Sequence, residues 1–410
     1  MQERELQFRD LLQRIQKSPL YQAKLSGIEI EKLRLAQIDN LPLTRKDELR
    51  KAGAFGHLAV ERKRVAQYHE SFGTTGEPAS SWFTLDDLAV GGTQLLSCGV
   101  RLNADDMVLI RFPYAMSLPA FLMQQACWQV GAGIVPASSR TAVTPYPRVL
   151  NLMRKLQVTV LVGLPREMEL LAETSRLLDA KEENQPHLFP ELRAICVAGE
   201  LMSERRRKHI ERLWGVPVFN MFGSTETANI AVMCEYGVMH VAEQDFIVEA
   251  LTEDGTASVA SGERGFAAIT TLSHQASPLL RYFNNDVIAL EEVHCPCGNT
   301  GRKLTHYGRS NDRIQFGNVV CDAADIQDAV YSLDPVPMAW LVEEQEQGLH
   351  FKLEIEGSVS AVQDMLSEQL HFPVTVESVP VGMMLDREEL VRNVPSRKPI
   401  YIRKFEQDRR

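Results

Sequence analysis

One stretch of the sequence combines residue types that can hold a phosphate group. Residues 71–78 read SFGTTGEP, in which glycines let the backbone approach phosphate oxygens closely and threonines add hydroxyl donors. No Gly-Lys-Ser/Thr follows at the spacing of a P-loop, so a P-loop ATPase is disfavoured. Taken alone, the stretch fits a phosphate-binding loop and a simple Gly/Ser/Thr-rich turn equally well.

A second set of residues has the chemistry of a structural zinc site. Cys234 and His240 lie in CEYGVMH, and Cys295 and Cys297 lie in HCPCG. Three thiolates and one imidazole would complete a closed tetrahedral site, with no open position for water. His294 competes with His240 as the imidazole ligand, and four unrelated residues with buried thiols are the alternative.

The elements that position these residues follow from the hydrophobic pattern. Apolar runs at 107–112, 158–165, 192–199 and 216–223 predict buried strands. Residues 203–214 predict a helix with Ser203 as its N-cap, and Thr44 is expected to cap a helix that starts with Arg45. Strands alternating with helices indicate an α/β fold with a largely parallel sheet.

The pattern changes twice further along the chain. Extended segments between about 232 and 310 predict a smaller β-rich subdomain, and the last block of about 100 residues predicts a small α+β domain. We therefore expect a large N-terminal domain over 1–308 and a small mobile domain over 309–410.

Composition narrows the class of protein. The chain has 410 residues, 44% of them apolar, and a formal net charge of −10, which argues against nucleic-acid binding. No run of 18 apolar residues predicts a membrane span. Seven cysteines, an odd number in a large chain, argue against a disulfide framework and favour a reducing cytoplasm.

An ordered series of motifs resembles the adenylate-forming superfamily. Residues 71–78 resemble its phosphate loop, Ser-Ser-Gly-Thr-Thr-Gly-Lys-Pro, with Phe72 and Glu77 as departures. Residues 222–226 (FGSTE) resemble Tyr-Gly-Ser-Thr-Glu, and 308–312 (GRSND) resemble the Gly-Arg-x-Asp-Asp hinge. Because Glu77 replaces a lysine, the resemblance implies weaker ATP binding through a cradle of amides and hydroxyls.

The resemblance implies a role for each matched residue. Thr225 would contact phosphate, and Glu226 would hold Mg²⁺. Lys398 in the C-terminal tail would be the catalytic lysine, and Lys404 is the alternative candidate for that role. Asn311 would be the pivot of the small domain. The implied ATP/AMP-binding residues are Ser71, Gly73, Thr74, Thr75, Gly76, Gly199, Glu200, Phe222, Gly223, Ser224, Thr225, Asp286 and Arg309.

Within the superfamily, SPLYQAKL, PLTRKDELR and PLLRYFNND are similar to segments of the phenylacetate–CoA ligase type. The expected acid pocket contains Phe112, Tyr114, Phe219, Met221 and Phe222, a mostly aromatic lining that suits an aromatic acid. Plain core packing is the alternative for each of the aromatic residues.

The implied activity is ATP-dependent conversion of a benzoate, hydroxybenzoate or phenylacetate type of acid to acyl-AMP, with release of pyrophosphate. Transfer to a thiol would follow, either on a carrier protein or on CoA, as in siderophore or other secondary-metabolite biosynthesis. The alternatives are a catabolic phenylacetate-type acid–CoA ligase and a non-catalytic relative that binds a nucleotide or a partner. A homodimer is left open.

Overall fold

The computed structural model describes residues 2–71, 78–178 and 188–392, together with the backbone of residues 402–403. Within these ranges, no helix has the length and apolar character that crossing a membrane requires.

The amino-terminal region consists of short helices that pack onto the large sheet. Its elements are α1 (Gln2–Ile15), α2 (Pro19–Lys24), β1 (Thr44–Arg45), α3 (Lys46–Lys51), the antiparallel pair β2 (Gln67–Glu70) and β3 (Ser80–Phe83), and 3₁₀ turns at Ile30–Lys32, Leu35–Asn40 and Arg62–Arg64. The helix α1 buries Phe8, Leu11, Leu12 and Ile15, the i, i+3, i+4, i+7 spacing of one helix face.

The expected capping role of Thr44 is wrong. Thr44 lies in β1, and its Oγ1 donates to the carbonyl oxygen of Leu280 at 2.7 Å. The following helix begins at Lys46 with Arg45 as N-cap, and the Arg45 amide donates to the Glu48 carboxylate. The hydroxyl is used in a long-range contact that local sequence does not reveal.

Five parallel strands form one half of the large sheet, in the order β5-β4-β6-β7-β8. The elements are α4 (Leu85–Leu95), β4 (Met107–Ile110), α5 (Pro119–Val130), β5 (Gly133–Pro136), α6 (Tyr146–Lys155), β6 (Val160–Gly163), α7 (Pro165–Leu178), β7 (Ala194–Val197), α8 (Glu204–Trp214) and β8 (Val218–Ser224).

Alternate residues of these strands enter two separate cores. Val108 and Ile110 pack with α4 and α5 on one face, whereas Leu109 packs with α6 and α7 on the other. Because both faces are covered, these strands read as continuous apolar runs, and the four predicted strands are confirmed. The Ser203 cap is confirmed too, since the Arg206 amide donates to its Oγ at 3.3 Å.

The predicted β-rich region is present, and its antiparallel strands continue the same sheet. From β8 the order is β9 (Ala228–Met233), β10 (Met239–Val241), β14 (Lys303–Arg309), β13 (Tyr282–Glu291), β12 (Gly265–Thr271) and β11 (Phe246–Leu251), with β1 parallel to β13. The result is one twelve-stranded sheet. A tight β8–β9 hairpin causes this continuity, because it pairs the free edge of the parallel half.

The C-terminal part has its own sheet, in the order β19-β18-β17-β20, and its own apolar core. After the 3₁₀ turn Ser310–Asp312 it comprises β15 (Ile314–Phe316), β16 (Val319–Cys321), α9 (Ala323–Val330), β17 (Trp340–Gln345), β18 (Gly348–Glu354), α10 (Val359–Leu370), β19 (Val374–Val379), α11 (Arg387–Val391) and β20 (Ile402–Arg403). The boundary expected between 308 and 309 falls at the end of β14.

Polar contacts join the C-terminal part to α7 and α8. The Tyr331 hydroxyl donates to Glu169 Oε1 at 2.5 Å, and the Ser203 amide donates to Gln327 Oε1 at 2.7 Å. Burial would raise the pKa of Glu169, but the charges of Arg206 and Arg166 outweigh it and lower that pKa to about 2. The tyrosine therefore donates to an ionised carboxylate.

Candidate active site

The β8–β9 hairpin presents Ser224, Thr225 and Glu226 to a cavity. Gly223 lies where the two strands are too close for a side chain, because a Cβ there would meet the Ala228 carbonyl oxygen at 1.9 Å. This explains why glycine stands in the FGSTE motif: the hairpin closes only without a side chain at that position.

The carboxylate of Glu226 is buried and forms an ion pair with Lys46, whose Nζ lies 3.0 Å from Oε1. Lys46 is the first residue of α3, which β1 attaches to the large sheet beside β13. The imidazole of His57 is also buried, and burial lowers its pKa to about 4 although the charge of Glu226 acts in the opposite direction. At neutral pH the cation that faces Glu226 is therefore Lys46 and not His57.

Sequence reasoning assigned no role to Lys46. Lys46 lies in the PLTRKDELR segment, which served to predict the start of a helix and to indicate the subgroup. Lys46 and Glu226 are far apart in the chain, so their contact follows from the pairing of β1 with β13 and not from local pattern.

Asp286 and Arg309 lie opposite each other on β13 and β14, with Arg309 Nε 3.7 Å from Asp286 Oδ1. Asn284 Nδ2 donates to Asp286 Oδ2 at 2.6 Å, and His306 Nε2 lies 3.5 Å from Oδ1. Burial would raise the pKa of Asp286, but the neighbouring His306, Arg309 and Asn284 outweigh it, so that the pKa lies below its usual value. The carboxylate is therefore ionised and able to accept hydrogen bonds.

Two cavities meet at the Lys46–Glu226 pair. One, of about 400 Å³, is polar, and the other, of about 300 Å³, has a largely apolar wall. Both are lined by Lys46, Ser224, Glu226 and Arg309. The polar cavity also contains Arg45, Arg50, Asn284, Asp286 and Asn311; the other contains Ser71, Phe112, Leu118, Leu122, Gly199, Met221 and Thr225.

The two predicted site residues in the turn after β7 have different surroundings. Gly199 has φ +81° and lines the apolar cavity. Glu200 instead points towards α7 and α8, where its Oε2 accepts from Arg206 at 3.3 Å and from the Arg166 amide at 3.3 Å. Within the described residues, Glu200 is not part of either cavity wall.

Of the five residues expected in the acid pocket, Phe112 and Met221 line the apolar cavity. Tyr114, Phe219 and Phe222 do not line it as far as the described residues show. The Tyr114 ring packs edge-on against Phe121, with ring centroids 5.3 Å apart. Phe222 packs instead against His306, at 4.6 Å. These three aromatic rings pack elsewhere, and the apolar part of the wall is mainly aliphatic, with Phe112 as an aromatic member.

The loop between β2 and β3 contains the first predicted motif. Its first residue, Ser71, lines the apolar cavity, and its Oγ accepts the Ala79 amide at 3.0 Å. Gly73, Thr74, Thr75 and Gly76 lie outside the described residues, as do Lys398 and Lys404. Their roles stay predictions from the sequence.

The four residues of the predicted zinc site converge. The ligand atoms of Cys234, His240, Cys295 and Cys297 all lie within 4.8 Å of one another. His240 Nδ1 lies 2.8 Å from the Gly301 carbonyl oxygen, which leaves Nε2 directed to the thiols, 3.4 Å from Cys297 Sγ. An imidazole oriented in this way by a backbone carbonyl is typical of metal-binding histidines.

Comparison with known proteins agrees with this geometry. A family model described as AMP-binding enzyme matches residues 71–251. The phenylacetate-coenzyme A ligase of Thermus thermophilus is 26% identical over 355 residues, covering 83% of this chain and 77% of the relative. That of Escherichia coli K12 is 23% identical over 356 residues, covering 83% and 78%.

Solved structures show the same fold. A 2-hydroxyisobutyryl-CoA ligase in the postadenylation state has a TM-score of 0.85 at 16% identity, covering 98% of this chain and 88% of that one. An anthranilate CoA ligase with bound anthranoyl-AMP has a TM-score of 0.58 at 15% identity, covering 82% and 68%. These matches support the assignment of the chain to the adenylate-forming superfamily and an acid–thiol ligase activity. Within that superfamily it is similar to the phenylacetate-CoA ligases over most of its length.

Proposed function

We propose that this protein activates an aromatic carboxylic acid with ATP and transfers the acyl group to the thiol of CoA. In the first step a carboxylate oxygen attacks the α-phosphorus, the bond from that phosphorus to the bridging oxygen breaks, and pyrophosphate leaves. In the second step the thiol sulfur attacks the acyl carbon, the bond to the AMP oxygen breaks, and the thiol proton passes to solvent. The named relatives support this reaction type.

The observation that carries the proposal is the position of the Lys46–Glu226 ion pair, at the junction of a polar and an apolar cavity. A nucleotide in the polar cavity and an acid in the apolar one would meet beside Ser224 and Thr225. This arrangement would hold the acid next to the α-phosphorus that it attacks, and positioning of this kind accounts for much of the catalysis of such reactions.

Each described residue then has a defined task. Asp286 accepts the ribose hydroxyls through its ionised carboxylate, and Arg309 contacts ribose or phosphate. Glu226 fits Mg²⁺, because it is a buried carboxylate with a cation as its near partner, and Mg²⁺ bound there would neutralise phosphate charge. Lys46, released from Glu226, would face the triphosphate and offset the acidic Glu77 of the loop.

The thiol acceptor is better supported as CoA than as a carrier protein. The curated relatives are named as coenzyme A ligases, so the catabolic type of acid–CoA ligase replaces the carrier-protein and secondary-metabolite role as the favoured function. Asn311 lies in the short turn after β14, between the two sheets, where a pivot for the second step would be needed.

An exchange assay tests the function. ATP–pyrophosphate exchange with a panel of benzoates and phenylacetates should show acid-dependent exchange, and CoA should convert the adenylate to a thioester. A folded sample that exchanges with no acid would overturn the enzymatic proposal and favour a binding role. Thioester formation only on a carrier protein would overturn the choice of CoA.

We also propose that Cys234, His240, Cys295 and Cys297 hold one structural Zn²⁺. The ion would join the β9–β10 turn to the loop before β14. Purified without added metal, the protein should contain about one equivalent of zinc, and Cys295→Ser with Cys297→Ser should reduce it below about 0.2. The double variant should also lose several degrees of Tm, measured by calorimetry.

His294 provides a matched control for the zinc site. It is adjacent to Cys295 in sequence but exposed, and it is not part of the converging set within the described residues. His294→Ala should retain full zinc content, whereas His240→Ala should lose it. Full occupancy in the double cysteine variant would refute the site.

A further inference from the structure

The apolar cavity has one feature that its aliphatic wall does not explain. Leu95, Leu118, Leu122 and Met221 form much of that wall, yet Asn229 lines it as well. Asn229 is the second residue of β9 and pairs with Gly223 across the hairpin, close to the Ser224–Ala228 pair that borders the turn. Asn229 therefore lies in the cavity proposed for the acid, next to the Ser224–Glu226 turn.

Asn229 is almost completely buried, with 7% of its surface exposed. Its Nδ2 has no hydrogen-bond partner among the described residues. A buried amide without a partner costs free energy, and folded proteins rarely keep one without a reason. The backbone of Asn229 is already part of the β8–β9 ladder, so the strand does not need this side chain.

Other polar side chains around the two cavities form hydrogen bonds within the protein. The Ser224 amide donates to Thr227 Oγ1 at 3.1 Å, and Asn284 donates to Asp286 at 2.6 Å. These side chains have partners within the protein, whereas Nδ2 of Asn229 has none among the described residues.

We propose that Asn229 selects an acid whose ring carries a hydroxyl group. This inference rests on the proposed function and narrows its substrate class. A carboxamide both donates and accepts, so one ring hydroxyl can accept from Nδ2 and donate to Oδ1. Leu95, Leu118, Leu122 and Met221 would pack against the apolar part of the ring.

Matched pairs of acids test this inference by ATP–pyrophosphate exchange. Benzoate is compared with its 2-, 3- and 4-hydroxy forms, and phenylacetate with the same three. The wild-type protein should prefer one hydroxylated isomer over its parent acid by about 10- to 100-fold in kcat/KM, since the parent leaves the amide unpaired. Asn229→Leu, of similar volume, should reduce that ratio to about one or invert it.

Two further variants separate hydrogen bonding from shape. Met221→Leu changes the same wall without changing its polarity and should leave the hydroxyl preference within about threefold. Asn229→Ala serves if the leucine variant does not fold, and it should also lose the preference. An unchanged ratio in either Asn229 variant, or a wild-type preference for the parent acids, would overturn the inference while the proposed function stands. No exchange with any acid would overturn both.

Discussion

Glu226→Gln should lower kcat/KM for adenylate formation about 10²- to 10³-fold, as measured by ATP–pyrophosphate exchange at saturating Mg²⁺. Glutamine keeps the size of the side chain but offers a metal ion only a neutral oxygen. The side chain is 3% exposed, so little solvent is available to replace the lost charge. The Mg²⁺ concentration needed for half-maximal exchange should rise in the same variant.

Glu291→Gln is the matched control for this substitution. Glu291 lies at the far end of β13 and pairs with Lys303 at 2.9 Å, where about a third of its side chain is exposed. Exchange by this variant should remain near that of the wild-type protein. If Glu226→Gln retains more than about a third of the wild-type activity with an unchanged Mg²⁺ requirement, Glu226 does not hold the metal.

Lys398→Ala should reduce ATP–pyrophosphate exchange at least 100-fold and leave transfer from chemically prepared acyl-AMP to CoA within a few-fold of normal. The physical reason is charge. Glu77 replaces the lysine of the usual phosphate loop, so neutralisation of the developing charge at the α-phosphate depends on cations from elsewhere in the chain. Lys398 is the tail residue that the family resemblance assigns to that task.

Lys404→Ala distinguishes the two tail lysines. It lies directly after β20, whose backbone pairs with β17 in the C-terminal sheet. We expect this variant to exchange at nearly the wild-type rate. Loss of exchange in Lys404→Ala with activity retained in Lys398→Ala would transfer the catalytic role to Lys404, and equal loss of both half-reactions would indicate a folding defect.

Local pattern predicted most of the regular structure, because the parallel strands are buried on both faces and bounded by turns. It missed β5, since Gly133 and Pro136 interrupt an already short run at the sheet edge. It predicted the β-rich region but did not reveal that β9–β14 continue the sheet of β4–β8. The pairing that joins them to β8 depends on a hairpin around Gly223, whose register cannot be read from alternation alone.

The site was predictable where residue type alone determines chemistry. The four zinc ligands were named together because thiols and imidazoles have few common uses in such spacing, and the structure brings them within 4.8 Å. The acid pocket was less predictable. Phe219 and Met221 share one face of β8, yet Phe219 approaches Gly99, where a Cβ would meet its ring at 2.5 Å, and only Met221 of the two lines the cavity.

The pairing of β1 with β13 bears on how the protein can be divided. The AMP-binding match ends at residue 251, but Lys46 precedes it and both Asp286 and Arg309 follow it. A fragment cut at the borders of the match would keep the Ser224–Glu226 turn and lose its cation and its proposed ribose ligand. In such a fragment β11 would also lack its partner β12, and its unpaired edge would be prone to aggregation. The matched segment is therefore not an autonomous nucleotide-binding module. A chimera that exchanges this segment between relatives must also include the flanking residues on both sides.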